Sequence, residues 1–85
     1  MNNINNLWRK EHNALIREFE FAHFKDALIF INYVGELAQK INHHPDILLH
    51  NYNKVLITLS THEVGKITKK DIQLAKKIDK LNYIR

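Results

Sequence analysis

The sequence predicts an α+β fold: a four-stranded antiparallel sheet with two main helices packed on one of its faces. Three observations predict it. Residues 14–22 and 55–61 alternate apolar and polar side chains with a period of two, as half-buried strands do. Between them, residues 24–41 repeat apolar side chains at steps of one, three and four, the period of a helix. A second helical stripe closes the chain at Ile72, Ala75, Ile78 and Leu81. Two hairpins joined by a helix suit an antiparallel sheet covered on one side.

In the first alternating segment, Leu15, Phe19 and Phe21 take one face, and Glu18 and Glu20 the other. Arg17 interrupts the apolar face and is expected near an edge. A short strand at residues 7–10 is expected to pair with this segment across a turn at His12 and Asn13. In the long helix, Phe24, Ala27, Leu28, Ile31, Val34, Ala38 and Ile41 form the predicted inward stripe, widened by Leu37. Trp8, Tyr33 and the Phe19, Phe21 and Phe24 cluster are expected in the core or an interface. Asn42 follows the last apolar position and suits a left-handed cap. Pro45 stops the helix and pushes His44 into an extended conformation.

Residues 47–49 are a short strand candidate, and residues 51–54 supply a turn. In the next strand, Val55, Ile57 and Leu59 share one face, whereas Leu56, Thr58, Ser60 and His62 share the other. His62 thus stands at the strand's exit, and Gly65 permits a tight bend after it. Thr68 with Asp71 three residues on reads as a variant capping box for the last helix. Asp71 suits the positive end of that helix, whereas Lys69 and Lys70 do not.

One domain over residues 1–85 is expected, with no Pro/Gly/Ser-rich linker and no internal repeat. The formal net charge is +4, and there is no cysteine. Much of the positive excess lies late, from Lys66 to Arg85. Lysines without interleaved arginines or aromatics read as a solvated face, so no direct nucleic-acid partner is expected. The longest apolar run covers residues 27–31, far short of a membrane span. The Asn-rich start lacks the basic head and apolar stretch of a signal peptide. A cytoplasmic protein without a membrane partner is the expectation. A chain this short, without disulfides, is expected to gain stability by oligomerising.

Six histidines are present, and three stand where structure changes. His43 and His44 follow the long helix; His62 leaves a strand. Imidazole exchanges protons near neutrality, which suits acid–base work. Adjacent residues of an extended segment point in opposite directions, so His43 and His44 should occupy unlike positions. Spacing alone leaves three readings: surface or capping histidines, which it favours, an acid–base set, or a three-histidine metal site. A metal site would want carboxylates behind the imidazoles, for which Asp71 and Glu63 are candidates. His12, His23 and His50 read as surface or turn residues. A Gly-rich phosphate loop, a Ser/His/Asp order and a cysteine nucleophile are all missing, which disfavours those chemistries.

The joint pattern is more specific. His43-His44-Pro45, Tyr52-Asn53-Lys54-Val55, Leu59-Ser60-Thr61-His62-Glu63, Thr68 and Asp71 together resemble the pterin-4a-carbinolamine dehydratases. Phe19, Phe21, Phe24, Ala27 and Phe30 also resemble that family's passage from strand to helix. The resemblance spans residues 8–81. It implies dehydration of 4a-hydroxytetrahydropterin to quinonoid dihydropterin, with no metal and no redox cofactor. By resemblance His43 and His62 are the acid–base pair, and His44 binds the pterin. Asp71 orients or polarises an imidazole. Asn42 and the stretch Ser60, Thr61, His62 and Glu63 line the pterin pocket. The family's dimers and tetramers imply a homo-oligomer here. Three departures stand out. Gln39 occupies a position where the family carries a charged residue. Gly65-Lys66 replaces a pair of small residues. The N-terminal helix of some relatives is absent or reduced. Some relatives dimerise transcription factors or assist assembly, so a non-enzymatic binding role is the alternative. Action on another pterin, as in molybdopterin metabolism, is a variant.

Overall fold

The computed structural model describes residues 7–81. The expected loss of an N-terminal helix concerns residues outside that span. The elements run β1 (Arg9–Glu11), β2 (Ala14–Glu20), α1 (Phe24–Ile41), β3 (Asp46–His50), β4 (Lys54–Leu59) and α2 (Lys69–Asp79). The strands form one antiparallel sheet in the order β1-β2-β4-β3. The architecture is the α+β one that the periodicities predict.

Local chemistry sets most of the boundaries. β1 turns into β2 through His12 and Asn13, both with positive φ (49° and 63°). Two left-handed residues give a two-residue hairpin the twist its strands need, and asparagine tolerates that conformation. β3 turns into β4 through a three-residue loop, Asn51, Tyr52 and Asn53, of which the first two are left-handed at φ 48° and 53°. Asn53 then ties this turn to the end of β2. Its side-chain amide donates to the Phe21 carbonyl at 2.7 Å, and its own carbonyl accepts the Phe21 N–H at 2.9 Å.

The sheet's inner face carries Leu15, Phe19, Val55, Ile57 and Leu59, each almost fully buried. Register places Leu15 opposite Leu59 and Phe19 opposite Val55, so these side chains stack across β2 and β4. α1 covers them with Ala27, Phe30, Val34 and Ala38, and α2 adds Leu74, Ala75 and Ile78. Phe30 sits between the rings of Phe19 and Phe21, at centroid distances of 4.7 and 5.0 Å.

Two expectations need correction. The inward stripe of α1 centres on Phe30, whereas Phe24 and Leu28 are exposed, as are Ile29 and Tyr33. α1 has apolar residues on more than one flank, so its sequence leaves the rotation about the axis open. The Phe19–Phe21 ring pair decides it by receiving Phe30.

Arg17 is the second correction. It lies past the last β1–β2 pair, so β2 is bonded there only to β4. Yet its side chain is buried, not at the rim. It donates to Asp79 of α2 at 2.6 Å, and its guanidinium sits 4.3 Å above the Phe19 ring. Trp8 donates its indole N–H to the same carboxylate at 2.9 Å and meets Phe19 edge-on. The network clamps the end of α2 to the sheet. Removing Arg17 leaves Asp79 with the Trp8 N–H and some water contact, so Arg17→Met is expected to cost about 2–3 kcal/mol, below the range for breaking a fully buried pair. Urea unfolding checks this. Adding Asp79→Leu to Arg17→Met is expected to recover part of the loss.

Candidate active site

His43 is positioned by the way α1 ends. Asn42 takes the left-handed conformation at φ 54°, ψ 46°. Its N–H returns to the Gln39 carbonyl at 3.2 Å, and the N–H of His43 returns to Ala38 at 3.1 Å. This pair of bonds is the Schellman closure, with Asn42 as its left-handed residue. It pins the backbone of His43 to the helix end. The imidazole is then carried inward, and only 8% of the residue is exposed. His44, the next residue, lies on the surface with its Nε2 3.0 Å from Oε1 of Gln39. The two histidines occupy unlike positions, as an extended segment requires.

Asp71 meets His43 from the start of α2. It closes a capping box with Thr68 and is fully buried. Oδ1 lies 2.6 Å from His43 Nε2. Oδ2 accepts the Thr61 hydroxyl and the Thr68 backbone N–H, each at 2.8 Å. A carboxylate without water is costly unless donors surround it. Here three donors and the positive end of a helix do so. An ionised carboxylate only accepts, so His43 carries its proton on Nε2 and donates it to Asp71. In the neutral ring this leaves a lone pair on Nδ1. No described residue hydrogen-bonds that nitrogen, and no solvent-sealed side-chain nitrogen or oxygen among the described residues lacks a partner. Nδ1 is therefore not sealed from solvent, and it is oriented by the bond on the other side of the ring.

His62 sits on an exposed turn between Thr61 and Lys66. The Thr61 N–H bonds the Lys66 carbonyl at 3.0 Å, and the N–H groups of Val64 and Gly65 both return to the Thr61 carbonyl. Gly65 has φ 64°, which a side chain would strain. Lys66 enters this closure through its carbonyl, so its side chain does not decide the turn. His62 thus follows directly on the residue whose hydroxyl holds Asp71, and Asp71 holds His43.

Among the other expected site residues, Asn42 and Glu63 are exposed and Ser60 is half-buried. Thr61 departs from expectation: its side chain is buried and bonded to Asp71 and Thr68. The alternation of β4, continued past Leu59, already puts Thr61 on the core face with Val55 and Ile57; it is the resemblance that places it in the pocket lining. Among the described residues, no three His, Asp or Glu side chains are grouped as metal ligands. A shallow groove lined by Ile31, Asn32, Gly35, Glu36, Gln39 and Ile47 reaches the partner of His44.

A buried carboxylate thus orients an imidazole where the end of α1 meets the start of α2, beside an antiparallel sheet in an α+β fold. The pterin 4 alpha carbinolamine dehydratase family matches residues 2–81, and the chain belongs to that family. A Thermomicrobium roseum protein bearing the family's name is 46% identical over 74 residues, covering 87% of this chain and 78% of its own. A Sulfurisphaera tokodaii protein of the same name is also 46% identical, with the same coverage. A crystal structure of a transcriptional coactivator/pterin dehydratase from Brucella melitensis superposes with a TM-score of 0.82 at 34% identity, over 88% of this chain and 81% of the other. A pterin dehydratase-like protein identified as a RuBisCO assembly factor in the alpha-carboxysome shares the fold at 19% identity. Its TM-score is 0.71, over 92% of this chain and 89% of that one. Among the described residues, no helix is long and apolar enough to cross a membrane.

Proposed function

We propose that the chain dehydrates 4a-hydroxytetrahydropterin to quinonoid dihydropterin, returning oxidised pterin to use. The observation that carries this reading is the buried His43–Asp71 bond of 2.6 Å with Nδ1 left open. The reaction needs two proton movements. A proton goes to the 4a-hydroxyl as the C–O bond breaks and water leaves. Another leaves the ring nitrogen beside that carbon, and its electrons form the new C=N bond. His43 serves one of these steps and His62 the other. His44, held by Gln39, binds the pterin, and Asn42, Ser60 and Glu63 line its place. Asp71 keeps His43 in the tautomer whose free nitrogen faces outward.

The test is the dehydration rate of the purified protein, beside His62→Ala and a chelator-treated sample. The wild type is expected to accelerate dehydration and to keep its rate after chelation. His62→Ala is expected to lose roughly 10²–10⁴ of kcat, the usual worth of a positioned proton donor or acceptor. A folded wild type with no activity removes the enzyme reading. It would favour a binding or assembly role, toward which Gln39 points: an amide cannot titrate where the family carries a charge.

We also read the chain as a single domain that forms a homo-oligomer. Phe24, Leu28, Ile29 and Tyr33, which α1 turns outward, support the second part.

A further inference from the structure

We infer that Thr61 is a positioning residue for the His43–Asp71 pair, acting through a one-way chain of hydroxyls. The inference rests on the proposed dehydratase reading for its effect on rate, though not for its effect on the imidazole.

The hydrogen-bond inventory forces the direction of the chain. A hydroxyl has one proton to donate. Thr61 Oγ1 gives its proton to Asp71 Oδ2 at 2.8 Å. Thr61 Oγ1 also lies 2.6 Å from Thr68 Oγ1. Its own proton is committed, so Thr68 must be the donor in that contact. Donation runs from the Thr68 hydroxyl to the Thr61 hydroxyl to Asp71 Oδ2, while His43 Nε2–H donates to Oδ1 from the other side of the carboxylate. Each donor in such a chain polarises the next. With the Thr68 N–H also on Oδ2, that oxygen is held by two donors and the carboxylate cannot rotate. Oδ1 is thereby left facing His43 as an acceptor.

Thr61 is well placed for this and poorly placed to touch substrate. Its residue exposure is 6%, and its backbone N–H and carbonyl close the His62 turn. One residue therefore sets the carboxylate behind His43 with its side chain and the loop of His62 with its main chain. This couples the two histidines through a group that meets no substrate.

The test compares Thr61→Val, which keeps shape and removes the hydroxyl, with Thr61→Ser, which keeps the hydroxyl. In the wild type, nitrogen-resolved NMR should show His43 protonated on Nε2, and a Thr61 hydroxyl proton protected from exchange. Thr61→Val is expected to weaken or shift the Nε2–H signal and to lower kcat about tenfold, the scale of one hydrogen bond to a charged group, with KM nearly unchanged. Thr61→Ser is expected to restore both. A Thr61→Val protein with an unaltered Nε2–H signal overturns the inference, as does one that raises KM alone. If Thr61→Val fails to fold, the wild-type spectrum decides: a rapidly exchanging Thr61 hydroxyl overturns the chain. If the wild type shows no turnover but the Nε2–H signal responds to Thr61→Val, the dehydratase reading falls and the hydroxyl chain stands.

Discussion

Asp71→Asn is expected to fold and to lose roughly 10³-fold or more of kcat, because it reverses the proton on His43. Oδ2 of Asp71 faces two donors, the Thr61 hydroxyl and the Thr68 N–H, whereas Oδ1 faces one, His43 Nε2–H. An asparagine has a single carbonyl oxygen. Placing it on the two-donor side costs fewer clashes, so its NH₂ group turns toward His43. Nε2 must then accept, and the proton moves to Nδ1. The outward nitrogen loses its lone pair, and the ring can no longer take a proton there. Carboxylate-to-amide changes behind a catalytic histidine have this scale of effect because the wrong tautomer is held. The check is kcat together with the nitrogen resonances of His43. An Asn variant with wild-type kcat and Nε2 still protonated would defeat the orienting role. Asp71→Ala should act on stability instead. It leaves buried donors without an acceptor, at about 3–5 kcal/mol by comparison with broken buried pairs. Against a total of about 5–15 kcal/mol for a folded domain, much of that variant is expected to unfold in mild urea.

Phe30→Ala is expected to cost about 3–5 kcal/mol, the range for truncating a buried phenylalanine. The residue is fully buried and lies against two other rings, so the space it leaves is bounded by rigid groups. Phe24→Ala, six residues earlier on the same helix, should cost about 1 kcal/mol or less in the monomer, because 49% of Phe24 is already exposed. Urea midpoints of the two variants measure the rotation of α1 directly. Equal losses would mean that α1 is turned about its axis from the arrangement described. If Phe24 is covered in an oligomer, its variant should instead shift the mass seen by sedimentation.

These two predictions draw on information of different kinds. Local sequence settled where elements begin and end. The period of residues 24–41 marked α1 to its bounds, Phe24–Ile41. Asn42, Gly65 and the Thr68–Asp71 box acted where they stand, because caps and left-handed turns depend on a few neighbouring residues. The strands were also legible, with β2 ending at Glu20 and β4 at Leu59, two residues short of each alternating run. Alternation continues past the last ladder bond because side chains go on packing after pairing stops. The candidate site was legible as a set of residues: His43, Asp71 and His62 stand in a pattern that resembles one family.

What the sequence by itself determined, then, was each element, its ends, and the residues worth watching. The tertiary structure alone decided which of them meet. His43 and Asp71 are 28 residues apart, and Arg17 and Asp79 are 62 apart. No local preference selects such partners. They are chosen when α1 and α2 settle on the sheet, and that settling is governed by ring packing around Phe30 and by the need to surround every buried charge. The same packing exposed Phe24 and placed His43 rather than His44 against the carboxylate. Short-range chemistry shapes segments, whereas the rotation and approach of segments depend on the summed contacts of the core.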